Sequence, residues 1–157
     1  MDALRNNQPR RRKLLPPVYF LVVILSIVTL HRYVPIVTLI SRPISNVGVL
    51  LIGLGLLINL VSVRQFAVRS TAIKPFEESS ALVTGGFFRF TRNPMYLGMI
   101  IILIGIAVLF GTLSSFLPIP VFVWLIQTHF ILKEEAMLVQ TFGDQYTEYK
   151  KSVRRWI

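Results

Sequence analysis

Residues 89–98 read RFTRNPMYLG, and they lie where a basic, polar segment becomes a membrane helix. Asn93 is a favoured helix N-cap, and Pro94 after it is a favoured first helical residue. Beyond Pro94 the chain turns apolar: Met95, Leu97 and Met99, then an unbroken Ile100, Ile101, Ile102 and Leu103. The segment therefore starts a helix, sets Arg89 and Arg92 at its mouth and holds Tyr96 in its first turn. A helix start carries positive partial charge and exposed amides. With two guanidiniums beside it, this mouth suits an anionic group such as a carboxylate or a phosphate.

Composition says what surrounds that mouth. Of 157 residues, 54% are hydrophobic and only 15% charged. Mean hydropathy is +0.64. A soluble domain of this size needs far less apolar surface, so the chain reads as a membrane protein. The net charge of +10 raises nucleic acid as a partner. The positive residues, however, cluster beside apolar runs rather than along one face of a soluble fold, which argues against nucleic acid and for anionic lipid head groups. No cysteine is present, so there is no disulfide framework, thiolate metal site or cysteine nucleophile, and no metal is expected.

Outward from the central stretch, the apolar runs predict an all-α, multi-pass bundle with about four transmembrane helices in a single domain over 1–157. Residues 1–13 are basic, with Arg5, Arg10, Arg11, Arg12 and Lys13. Residues 14–30 form the first apolar run. A basic start before such a run can be a signal peptide, but no small-x-small site follows it and three more spans do. The second span covers about 46–63 and contains Gly48, Gly53 and Gly55, which permit close approach of a helix or ligand. Residues 64–92 form one long polar connection, more than a simple turn requires, with Gly85 and Gly86 just before the central stretch. The third span runs to about 110, a tight uncharged turn follows, and the fourth covers about 116–132. Over 136–157, Leu138, Phe142, Tyr146, Tyr149, Val153 and Trp156 recur at helical spacing, which predicts an amphipathic helix in the membrane interface over 133–157.

Lys and Arg concentrate in the amino-terminal segment, the 64–92 loop and the tail, so the positive-inside rule puts both termini and that loop in the cytoplasm. The third and fourth spans are each roughly one bilayer core long at 1.5 Å per residue. The turn between them permits only an antiparallel hairpin. Arg92, Asn93, Tyr96, Glu134 and Glu135 should thus converge at one cytoplasmic edge. Cations and a helix start suit a carboxylate, the glutamates suit an ammonium, and an apolar wall suits a flat ring. A zwitterionic amino acid joined to a nucleoside fits that set, and S-adenosylmethionine is such a molecule.

The residues in this order resemble the isoprenylcysteine carboxyl methyltransferase and phospholipid methyltransferase family of integral membrane enzymes. The family pattern runs through a leucine-valine and glycine-aromatic stretch, an Arg-His-Pro-x-Tyr-x-Gly motif, an apolar hairpin, paired glutamates and an FGxxYxxYxxxV tail. Here Leu82, Val83, Gly85, Gly86, Phe87 and Phe88 precede Arg92, Asn93, Pro94, Tyr96 and Gly98. Glu134 and Glu135 follow, then Phe142, Gly143, Tyr146, Tyr149 and Val153. The match covers about half the chain, residues 79–157. It implies methyl transfer from S-adenosylmethionine to a lipophilic or membrane-embedded acceptor, such as a prenylcysteine-like carboxylate or a phospholipid amine. It also implies that Arg92, Asn93, Pro94, Tyr96, Gly98, Glu134 and Glu135 hold the cofactor, with Gly53 and Gly55 a further Gly-x-Gly match. Two positions depart: Asn93 stands where many members have histidine, and Ser80 where the animal prenylcysteine enzymes have one.

Arg89, His129 and Glu135 are the candidate catalytic residues. Gln127 and His129 are polar inside a span, which is costly, so His129 either snorkels or lines the pocket. A carboxylate acceptor needs no base, whereas an amine or thiol needs one, and His129 or a glutamate is the candidate. Two other classes remain: an NADPH-dependent membrane reductase of steroid-reductase type, and a non-enzymatic membrane scaffold.

Overall fold

The computed structural model describes residues 15–68 and 81–157. The basic segment 1–13 and residues 69–80 of the long connection, Ser80 included, lie outside the described residues. All regular structure among the described residues is helical, apart from one isolated antiparallel bridge between Thr38 and Thr112.

Helix α1 spans Pro16–Tyr33, with proline in the first turn where its missing N–H costs nothing. Val23 and Ile27 face inward, while Leu21, Val22 and Leu25 point out. Helix α2 spans Val47–Val68 and follows a short 3₁₀ turn, Ile44–Asn46. Helix α3 spans Pro94–Phe110. Beyond Gly111 come α4 (Leu113–Phe116), α5 (Pro118–Ile126), a π-helical turn over Gln127–Ile131 and α6 (Leu132–Phe142). Together they make one helical run of 30 residues, Leu113–Phe142. Three helices, Pro16–Tyr33, Ile44–Val68 and Leu113–Phe142, are long and apolar enough to cross a membrane, and Pro94–Phe110 is a shorter apolar helix.

Glycines set the closest packing. Gly48 lies against Gly105, and Gly55 against Gly98, so α2 and α3 touch backbone to backbone at two points seven residues apart on each helix. A methyl group on Gly55 would stand 2.5 Å from the Gly98 carbonyl oxygen. Gly53 faces open space. On the other side of α3, Leu103 and Ala107 pack with Ile27, Phe122, Ile126 and Ile131 in the core.

The hairpin between α3 and α4 turns at Gly111, whose φ of +69° is readily available only to glycine. Its carbonyl accepts from the Leu39 and Ile40 amides, which ties the 34–43 connection to the hairpin tip. Just there His31 stacks on Phe110 at 4.3 Å between centroids, and its Nδ1 lies 3.1 Å from Thr112 Oγ1.

The fourth helical run continues ten residues past 132, to Phe142, before the chain bends at Gly143. Helix α7, Asp144–Ser152, then carries Tyr146 and Tyr149 inward. Val153 leaves the helix in an extended conformation. Residues 133–157 therefore hold the rest of α6, the short helix α7 and an extended end, where the apolar spacing predicted one helix.

Candidate functional site

The mouth of α3 is built as a hairpin demands. The Tyr96 hydroxyl donates to Glu134 Oε1 at 2.7 Å, so the first turn of α3 and the start of α6 share one depth. Tyr96 is buried and Glu134 half-buried. Pro94 and Gly98 lie in the same turns, both buried. Asn93 occupies the N-cap position but makes no side-chain cap; its amide donates outward instead, to the Arg155 carbonyl at 3.0 Å.

Beside this pair stands a buried carboxylate between two guanidiniums. Glu135 Oε1 accepts from Arg92 Nη2 at 3.1 Å and from Arg155 Nε at 2.9 Å. Its Oε2 accepts from Arg155 Nη2 at 2.8 Å. Arg155 thus grips Glu135 as a two-point fork, the strongest form of this interaction. Arg92 and Glu135 side chains are each 9% exposed. Arg92 gives only Nη2 to Glu135: its Nε and Nη1 are buried without a hydrogen-bond partner among the described residues. Buried guanidinium donors normally find an acceptor, so these two mark a place where an anionic group would fit. Tyr146 is buried close by; burial, reinforced by the nearby Glu135 charge, pushes its phenol up to about 12. The hydrogen bond to Glu135 raises Arg155 above its ordinary value.

The extended end of the chain seals the edge. Arg92 N donates to the Arg154 carbonyl at 3.0 Å, and Thr91 Oγ1 to the Arg155 carbonyl at 3.1 Å. Trp156 Nε1 donates to Gln127 Oε1 at 2.9 Å, within the π-helical turn. The Tyr149 hydroxyl donates to the Phe88 carbonyl at 2.6 Å, which docks α7 on the short helix Gly86–Arg89.

The structure therefore brings Arg92, Asn93, Pro94, Tyr96, Glu134 and Glu135 together. It sets the other candidates apart. His129 is exposed, its ring beside Tyr19 and Trp124 and its Nδ1 within 3.2 Å of the Leu125 carbonyl. Arg89 is exposed on its short helix. Gly55 and Gly98 face each other in the α2–α3 contact, and Gly53 faces outward. Thr91, Arg155 and Trp156 join the site although the sequence alone places none of them there: Trp156 and Arg155 read only as parts of the amphipathic tail. Gly143 was the available signal, because a helix break there lets the chain fold back onto the mouth.

Apolar helices of spanning length, closed at one end around a charged and hydrogen-bonded mouth, define an integral membrane protein. The phospholipid methyltransferase family model matches residues 44–145, and the chain belongs to that family. Among its relatives, the protein-S-isoprenylcysteine O-methyltransferase of Schizosaccharomyces pombe is 39% identical over 46% of this chain and 30% of its own length. Protein-S-isoprenylcysteine O-methyltransferase A of Arabidopsis thaliana is 34% identical over 70% of this chain and 57% of its own. The solved structure of the eukaryotic intramembrane Ras methyltransferase, isoprenylcysteine carboxyl methyltransferase, has the same fold: TM-score 0.67 at 22% identity, over 98% of this chain and 54% of that one. The chain spans little more than half the length of these relatives, or less.

Proposed function

We propose that this chain is a membrane methyltransferase that uses S-adenosylmethionine to methylate a lipophilic acceptor. One observation carries the reading: the buried Arg92 guanidinium has two donors without a partner among the described residues, beside a helix start and two glutamates. That set fits the zwitterionic end of the methyl donor. Arg92 Nε and Nη1 would take the carboxylate. Glu134 would face the ammonium, because both Glu135 oxygens already accept from arginine.

When bound, S-adenosylmethionine would supply a methyl group already activated by its sulfonium, for transfer to the acceptor's lone pair with the carbon–sulfur electrons returning to sulfur. The chain's own part is to position and to exclude water. Tyr96 holds Glu134 by its hydroxyl. The extended tail and Trp156 cover the edge of the mouth. A carboxylate acceptor needs no base. An amine or thiol would need one, and with Glu134 facing the ammonium and His129 facing outward the arrangement favours a carboxylate acceptor.

Prenylcysteine-like carboxylates lead among the acceptors, in keeping with the names of the relatives, with phospholipid amines next. Both partition into lipid and would reach the mouth sideways. The positive-inside rule sets the mouth and both termini on the cytoplasmic side, against anionic lipids. The relatives' names favour this reading over an NADPH reductase or a scaffold.

Calorimetry in detergent tests the reading. The protein should bind S-adenosylhomocysteine and ignore NADPH, and should transfer label from S-adenosylmethionine to a component of a membrane lipid extract. Binding of NADPH alone, or of neither, would overturn it.

A further inference from the structure

We infer that Arg155, at the extended end of the chain, is a positioning residue: it sets the Glu135 carboxylate and anchors the Thr91 and Asn93 side chains so that the two unpartnered donors of Arg92 point into the mouth. This rests on the methyl-donor reading above.

The geometry carries it from two directions. From one side, the Arg155 fork takes Glu135 at both oxygens, which fixes the plane of the carboxylate. Oε1, shared with Arg155 Nε, is the oxygen that also meets Arg92, and it meets Nη2 alone, so the rotation of the Arg92 guanidinium is decided by where that oxygen lies. From the other side, the Arg155 carbonyl accepts from Thr91 Oγ1 and Asn93 Nδ2, the residues flanking Arg92, while the Arg92 amide donates to the preceding carbonyl. The tail therefore holds both ends of the Arg92 side chain: Arg154 takes its backbone root, and Arg155, through Glu135, sets its charged tip. Without Arg155, Glu135 would be free to turn both oxygens to Arg92, and a two-point pair would consume one of the donors otherwise free for a ligand. The arrangement also gives Asn93 a task suited to an amide, since it reaches a carbonyl by donation.

The Arg155 contact is only partly shielded, with the Arg155 side chain 32% exposed. The tail can thus be altered without opening the core of the bundle.

Affinity for S-adenosylhomocysteine, measured by calorimetry on the full chain in detergent, tests this with the variants Arg155→Ala, Arg155→Lys and Lys151→Ala. Arg155→Ala should weaken binding by about tenfold or more, the loss expected for one misdirected charged hydrogen bond. Arg155→Lys keeps the charge but not the fork, and should recover only part of the affinity. Lys151→Ala removes a charge from the same tail, at an exposed pair with Glu148, and should bind as the native chain does. Binding by Arg155→Ala within twofold of native would overturn the inference. If Arg155→Ala fails to fold, native affinity in Arg155→Lys would overturn it equally. Failure of the native chain to bind at all would overturn the methyl-donor reading itself, and the inference with it.

Discussion

Tyr96 and Glu134 are 38 residues apart in the chain, yet the tyrosine hydroxyl lies 2.7 Å from the glutamate oxygen. The bond spans the open end of an antiparallel hairpin whose closed end is Gly111. It sets the depth at which the charged mouth is built. Tyr96→Phe keeps the ring packing and removes this one bond. A hydrogen bond to a charged group contributes about 1.5–3 kcal/mol. The variant should lose about that much stability on thermal or denaturant unfolding in detergent, and should weaken S-adenosylhomocysteine binding. A melting temperature and affinity equal to native would show that Glu134 is held by something else.

Glu135 compensates two guanidiniums, and Arg92 is nearly as buried as Glu135 itself. Removing one partner of a buried pair leaves an uncompensated charge, at a cost of about 3–5 kcal/mol. Because Arg155 is partly exposed, the lower end of that range is expected. Glu135→Ala should therefore lose stability as well as cofactor binding, whereas Glu134→Gln should lose binding with a smaller change in stability. Thermal melts and calorimetry on the same samples separate the two. Equal stability of Glu135→Ala and the native chain would mean that the arginine cage is not formed in detergent.

The helix α2 glycines should separate sharply on substitution. Gly55 meets the Gly98 backbone, so Gly55→Leu must push α2 from α3, with an overpacking cost of about 1–3 kcal/mol or more. Gly53 has open space around it, and Gly53→Ala should be neutral or stabilising by up to about 1 kcal/mol, the difference in helix propensity. Melting temperatures of the two variants decide this. A Gly53→Ala variant that melts normally but no longer binds S-adenosylhomocysteine would instead support Gly53 as part of the cofactor wall.

Tyr146 should titrate late. Its phenol is raised from an ordinary 10.0 to about 12, first by burial and then by the Glu135 charge. The folded chain holds this proton more tightly than the unfolded chain does. The stability linked to it is thus fully present below pH 10 and falls as pH rises from 10 through about 12. Phenolate absorbance, compared between native protein and Tyr146→Phe, should show one missing late-titrating tyrosine in the variant. No difference between the two above pH 10 would contradict the buried placement.

Much of the architecture is legible in the sequence. Long apolar runs must be helices in lipid, because every backbone group needs an internal partner there. Charge asymmetry, Pro94 at a helix start and the short glycine turn then forced the hairpin, and with it the meeting of Tyr96 and Glu134. What the sequence could not express was orientation around each helix. In a membrane protein both the lipid and the core are apolar, so hydropathy does not say which face turns inward. Gly53 and Gly55 look alike in the chain, yet only Gly55 meets another backbone. The tail shows the second limit. Its aromatic spacing reads as one helix, but Gly143 bends it and Val153 leaves it extended, so the final arginine returns to Glu135. That closure depends on contacts between residues 20 and more apart in the chain, a distance at which local periodicity carries no information and only packing in three dimensions decides.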